Sequence, residues 1–205
     1  MFKKTIAKQF KKPSGFLGKL CAKIMDTGNL KTIDWVFSLM DVKEDEKILE
    51  IGYGSGILIS KIAGLNKNNL IYGIDFSKIM YKRAVKKCKS LIDKSFVKLF
   101  NSDLINFKND IQFDKIVAVN VVYFWDDLNT YLNYINTLLN SKGKLYLYFS
   151  DSKEMEKIKF ATINVFNKYT KEEMISSLIE ANFKNINVGM TGAGLFPGYC
   201  AIAEK

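Results

Sequence analysis

Histidine is absent from the 205-residue chain. This excludes imidazole acid–base catalysis, histidine metal ligands and a histidine pH switch. It also excludes hydrolases built on a Ser-His-Asp or Cys-His unit. Cysteine is scarce: Cys21, Cys88 and Cys200 are far apart and form no CxxC pair. Zinc and dithiol redox chemistry are therefore not expected, no metal is expected, and a reducing, cytoplasmic setting is. Proline occurs only at Pro13 and Pro197, which removes Pro-rich linkers. Arginine occurs once, as Arg83, so nearly all positive charge is lysine. Long apolar runs are missing too. The longest uncharged stretch, 185–203, contains Gly189, Gly192, Gly194, Pro197 and Gly198. It reads as two strands around a glycine-rich turn, not as a membrane span. Lysines interrupt every apolar stretch before residue 32, so the N-terminus does not read as a signal peptide.

What remains is an ordinary globular balance, with 48% hydrophobic and 25% charged residues. The length suits one domain of generous size. The net charge of +10 is concentrated. Residues 1–31 hold eight lysines against Asp26, and residues 77–94 hold six lysines and Arg83 against Asp93. A solvated lysine-rich surface is the expectation. The alternative is an anionic partner: nucleic acid, an acidic membrane surface or a phosphorylated substrate. The near absence of arginine, the usual residue for planar phosphate recognition, weighs against that alternative.

Helical spacing marks the front of the chain. Phe16, Leu17, Leu20, Ile24 and Met25 fall on one face, expected inward, with Lys19 and Lys23 opposite. A second helical pattern covers 29–41, with Ile33, Val36, Phe37 and Met40 inward. From Lys47 strands and helices alternate. Strands are expected at 48–51, 70–74, 96–100, 116–122, 144–149, 184–191 and 198–204. Helices are expected at 57–63, 79–92, 128–139 and 171–182, the last with a Thr170/Glu173 capping box. Asp126 is expected to cap the helix at 128. The alternation predicts an α/β, Rossmann-like, doubly wound sheet of seven strands, mostly parallel. The last two strands lack a helix between them, so an antiparallel C-terminal hairpin is expected. Residues 1–44 are expected to form an N-terminal helical lid or extension on a main domain at 45–205.

The informative segment is Glu50-Ile51-Gly52-Tyr53-Gly54-Ser55-Gly56, placed where the first strand gives way to a helix. Alternate glycines let the backbone turn sharply and let a ligand press against it. The second strand ends at Asp75, an acid placed to accept from both hydroxyls of a ribose. A dinucleotide fingerprint would read G-x-G-x-x-G, but this loop reads G-x-G-x-G. The carboxylate of Glu50 would also repel a pyrophosphate and suits an amino-acid ammonium group. Both points favour S-adenosylmethionine over a nicotinamide dinucleotide.

Residues 48–63 resemble motif I of the class I S-adenosylmethionine-dependent methyltransferases, with the full E-x-G-x-G-x-G pattern. Tyr72 to Ser77 resembles that family's ribose-binding strand end, Asn101-Ser102-Asp103 its adenine-proximal acid, and 113–120 its fourth-strand motif. Leu138 to Leu147 resembles the L-x-x-G-G-x-L segment, with Lys142 a harmless replacement of the first glycine. The resemblance implies roles. Glu50 would engage the methionyl ammonium. Gly52, Tyr53, Gly54 and Gly56 would shape the loop, the glycines letting the backbone reach the cofactor. Asp75 would hold the ribose, Phe76 would pack on the adenine, Asp103 would meet its amino group, and backbone at Asn120 would line the methionine part. The acceptor pocket is expected around Tyr123, Trp125, Phe160, Phe196 and Tyr199, and no catalytic base is assigned.

The resulting expectation is methyl transfer from S-adenosylmethionine to a small-molecule acceptor, leaving S-adenosylhomocysteine. RNA-directed and phospholipid-directed transfer through the basic N-terminal surface stand as alternatives, with peripheral contact to an anionic membrane. A non-catalytic cofactor-binding protein is a further alternative. Asn120-Val121-Val122-Tyr123 lacks the N/D/S-P-P-Y/F motif, which disfavours amino-directed adenine methylation; ribose and other RNA targets stay open, and nucleic acid as a partner is not favoured. Monomer and homodimer both remain open.

Overall fold

The strand Lys47–Ile51 (β1) is the axis on which the rest is built. Its parallel neighbours are Leu70–Ile74 (β2) on one side and Phe113–Val119 (β4) on the other. Val97–Phe100 (β3) flanks β2, and Leu139–Ser150 (β5) flanks β4, both parallel. Gly198–Glu204 (β7) runs antiparallel against β5, and Lys184–Thr191 (β6) runs antiparallel on β7. The sheet order is β3-β2-β1-β4-β5-β7-β6. This is the expected seven-stranded, mostly parallel sheet with an antiparallel terminal hairpin. The computed structural model describes residues 9, 13, 15–65, 67–157, 166–192 and 197–205.

Helices cover both faces. Gly15–Leu39 (α1), Ile57–Ala63 (α2), Lys78–Lys87 (α3) and Lys89–Asp93 (α4) lie on one side. Leu128–Leu138 (α5), Ser152–Glu156 (α6) and Lys171–Glu180 (α7) lie on the other. Fully buried Val36, Leu58, Ile62 and Ala84 form one core; Leu132, Ile135, Met174 and Leu178 form the other. A strand between two such layers is apolar on both sides, which explains the uninterrupted run Ile116-Val117-Ala118. Among the described residues, no helix is long and apolar enough to cross a membrane.

Several local expectations are corrected. The front of the chain is one continuous helix, α1, which passes through Gly28 without a break. Its buried face is made by Cys21, Ala22, Thr32 and Val36, while Leu20 and Ile24 are 51% and 48% exposed. The helix expected over 79–92 is broken at Cys88 into α3 and α4. Asp127, not Asp126, caps α5, its carboxylate accepting from the Thr130 N–H at 2.9 Å. The Thr170/Glu173 capping box is present as expected. Lys142 sits at φ 64°, a left-handed conformation that costs a side chain about 1–2 kcal/mol and a glycine nothing, so it is not a cost-free replacement.

Pairing register decides where function collects. Ile51 lies opposite Ile74 on β2 and Ala118 on β4. The residues that follow these strands therefore emerge together at the carboxyl edge. The order of strands reverses between β1 and β4, which opens a crevice there.

Candidate functional site

Gly52, Gly54 and Gly56 all adopt left-handed backbone, at φ 70°, 54° and 78°. Their surroundings differ. A Cβ on Gly52 would lie 2.2 Å from Val121 Cγ1, because the segment after β4 presses on the loop. A Cβ on Gly56 would meet Ala84 Cβ and Cys88 Sγ at 3.2 Å, where α2 begins against α3. A Cβ on Gly54 would meet nothing within 4 Å. Only Gly54 therefore turns its bare backbone toward open cleft. The Tyr53 ring points the other way: it is buried, and its hydroxyl donates to the Phe100 carbonyl at 3.2 Å.

Two polar groups in this cleft are orphans. Glu50 is 4% exposed, and its Oε2 has no hydrogen-bond partner; Ser55 Oγ is buried and unpartnered as well. Burial pushes the Glu50 carboxyl up to about 8, and the neighbouring charge of Asp75 acts in the same direction. Asp75 is held differently. Its Oδ2 accepts from the Gly54 N–H at 3.0 Å and its Oδ1 from the Ser77 N–H at 2.7 Å. Burial raises it to about 6 against the opposing pull of those two bonds. A carboxylate has lone pairs beyond those two, so Asp75 fixes the loop and keeps acceptor capacity toward the cleft.

The outer half of the cleft is lined by Asp103, Trp125 and Tyr131. Asp103 accepts from the Tyr131 hydroxyl at 3.2 Å, and the Tyr131 ring stacks on Trp125 with centroids 5.0 Å apart. Burial, then Asp103, raise the Tyr131 hydroxyl to about 12. Phe76, Val121 and Phe124 line both halves and divide them.

The inner half is closed by α1, which supplies Met25, Asp26, Asn29 and Ile33 to its wall. Two polar links hold the helix there. Asn120 Nδ2 donates to Asn29 Oδ1 at 3.1 Å, and Asp26 pairs with Arg83 of α3. Asn120 is itself in left-handed backbone at φ 58°, and its Oδ1 accepts from the Tyr123 hydroxyl at 3.0 Å. Tyr123 in turn accepts from the Ser150 N–H.

Of the expected site residues, Glu50, Gly52, Tyr53, Gly54, Asp75, Phe76 and Asn120 line the inner half, and Asp103 and Trp125 the outer. Gly56 stands behind the loop as a packing position. Tyr123 is buried behind Asn120 with both hydroxyl functions used, so it faces no acceptor. Tyr199 stands on β7 against Phe149, with Lys171 Nζ 6.0 Å from its ring centre. Phe160 and Phe196 lie outside the described residues. Asp26, Asn29, Ser55 and Phe124 were not expected. Ser55 was legible, being inside the glycine loop; the other three depend on packing across long sequence separations. Among the described residues no group of three or more His, Cys, Asp or Glu is placed to hold a metal ion.

The strand order, the left-handed glycine turn and the acid just after β2 match the fold of class I S-adenosylmethionine-dependent methyltransferases. The comparisons agree. A family model described as a methyltransferase domain matches residues 49–145. An uncharacterized methyltransferase of Bacillus subtilis, YdaC, is 25% identical over 183 residues, covering 89% of this chain and 96% of that protein. The magnesium protoporphyrin IX methyltransferase of Synechocystis, solved with bound S-adenosylmethionine, superposes with a TM-score of 0.67 at 16% identity, covering 99% of this chain and 97% of that one. A Nostoc punctiforme protein assigned as an O-methyltransferase superposes with a TM-score of 0.72 at 19% identity. That match covers 90% of this chain, which spans 58% of the Nostoc protein. Residues 49–145 thus carry a methyltransferase-domain match, and the chain has the fold of S-adenosylmethionine-dependent methyltransferases. The residues present fit S-adenosylmethionine: Oε2 of the buried Glu50 has no partner and could accept from an ammonium group, and the bare backbone of Gly54 borders open cleft.

Proposed function

We propose that this chain methylates a small molecule that is uncharged or carries an amine, held between α1 and the glycine loop. One observation carries this reading. Every charged side chain lining the cleft is a carboxylate: Asp26, Glu50 and Asp75 inside, Asp103 and Asp126 outside. No lysine or arginine lines it among the described residues, in a chain that has 31. Such a lining repels phosphates and carboxylates and favours cations and neutral groups. RNA and phospholipid headgroups fit it poorly as acceptors.

When bound, the cofactor supplies a methyl group already activated on a sulfonium centre. The protein's own work is then alignment and exclusion of water. Glu50 would receive the methionyl ammonium, Asp75 the ribose hydroxyls and Asp103 the adenine amino group. Phe76 would pack on the adenine, and backbone at Asn120 would border the methionine part. Residues 1–44 would act as a lid over 45–205, with Met25, Asn29 and Ile33 as its inner surface. An amine acceptor needs to shed only one proton to water, which suits a site without histidine.

Thermal unfolding with S-adenosylmethionine, S-adenosylhomocysteine and NAD tests the cofactor. Saturation at a hundred times the dissociation constant adds about 2.7 kcal/mol, or roughly 5–10 °C for a domain of this size. The two sulfur cofactors should give that rise, NAD none, and Asp75→Ala should abolish it. Methyl transfer to pooled amines should exceed transfer to pooled phosphorylated compounds; the reverse order would sink the acceptor assignment.

A further inference from the structure

The outward side of the same lid differs sharply in chemistry from its inner side. Leu20, Ile24 and Leu30 are 51%, 48% and 40% exposed on α1. Positions 20, 24, 27 and 31 recur at helical spacing, so Leu20, Ile24, Thr27 and Lys31 share one outward stripe, flanked by Lys23 and Leu30. All six of these residues are exposed. On α3, Lys78, Lys82 and Lys86 form a second exposed row. The two helices lie on the same face of the sheet and touch through Asp26 and Arg83. The acids nearest this surface are already engaged, Asp26 with Arg83 and Asp34 with Lys61. Lys23, Lys31, Lys78, Lys82 and Lys86 make no ion pair among the described residues.

We propose that this face, the outer stripe of α1 with the lysine row of α3, docks on an anionic phospholipid surface. Leucine and isoleucine set among lysines match a bilayer interface, where apolar side chains enter the acyl boundary and ammonium groups meet headgroup phosphates. A second copy of the chain is a poor occupant, because self-association would set these lysines against lysines. Nucleic acid is a poor occupant too: the only arginine is held by Asp26, and exposed leucines give a phosphate backbone nothing to bind. The docked lipid is an anchor, not the methyl acceptor, since the cleft below is lined by carboxylates. Docking would bring the lid, and the cleft it closes, against the membrane plane.

Vesicle co-sedimentation of the full chain tests this. The protein should pellet with phosphatidylcholine–phosphatidylglycerol vesicles, not with phosphatidylcholine alone, and raised salt should release it. Leu20→Glu with Ile24→Glu should lower partitioning about tenfold or more, and Lys82→Glu with Lys86→Glu should do the same at low salt. None of these residues lines the cleft, so the thermal shift with S-adenosylhomocysteine should persist in both variants; it confirms folding and reports the cofactor reading separately. Three results would overturn the proposal: no pelleting with anionic vesicles at low salt, binding to RNA in place of vesicles, or a concentration-dependent dimer that Leu20→Glu dissolves.

Discussion

Glu46 and Glu50 sit at opposite ends of β1 and meet opposite fates. Glu46, at the amino edge, pairs with Lys115, and its second oxygen accepts from the Lys43 N–H at 2.9 Å. Nearby Asp114 accepts from the Lys47 N–H and from Asn140 Nδ2, both at 2.7 Å. Glu50, at the carboxyl edge, is more deeply buried and has an oxygen with no partner. A buried carboxylate without a donor costs stability, and a buried pair broken on one side costs more. The amino edge is therefore arranged for stability, and the carboxyl edge keeps an unmet demand, which the proposed function assigns to a cationic group. The same residue type is a strut just before the strand begins and a candidate receptor near its end.

Five substitutions and a titration test this contrast, from the largest expected effect to the smallest. Glu50→Gln should weaken S-adenosylmethionine binding by about a hundredfold, the scale of losing a buried charge pair. Calorimetry would show it, and a loss below about threefold would break the comparison. Lys115→Met should lower stability by about 3 kcal/mol, roughly 6–12 °C in midpoint, while leaving the cofactor-induced shift intact. Equal damage to both quantities would mean the edges are not separable.

The pH dependence carries a definite sign. Glu50 moves from an ordinary 4.5 to about 8 on folding, and Asp75 from 3.8 to about 6. Between those limits the unfolded chain has lost the proton and the folded chain retains it. The folded state binds more protons, so their contribution to stability falls as pH rises from about 4 to 8. In Glu50→Gln the decline should end near pH 6, as measured by melting midpoints without cofactor, and saturating S-adenosylmethionine should flatten it in the wild type. Gly54→Ala should cost about 1–2 kcal/mol of backbone strain without any clash. Its loss of cofactor affinity should exceed that of Gly56→Ala, whose damage is to packing against Ala84 and Cys88. Lys142→Gly, back at the amino edge, should be the mildest change and a stabilising one, by about 0.5–1 kcal/mol in denaturant titrations, with binding unchanged.

Much of this was legible from local rules. The turn Gly52–Gly56, the acid at Asp75 and the lone antiparallel hairpin follow from residue types whose backbone preferences are set within a few positions. The inward face of α1 was not legible. Its sequence presents two apolar stripes, and hydrophobicity alone favours the one with leucine and isoleucine. Packing of the folded chain instead buries Cys21, Ala22 and Val36.

The chain's own pattern of glycines, strands and acids determined the fold class and marked most of the candidate residues that line the cleft, because those are short-range properties of a strand-turn-helix unit. Only the folded structure decided which oxygen of Glu50 is left bare, that Asn29 reaches Asn120 across 91 positions of sequence, and that Tyr123 is spent on Asn120 and Ser150. Burial and hydrogen-bond satisfaction belong to the whole packed molecule, and no local pattern encodes them.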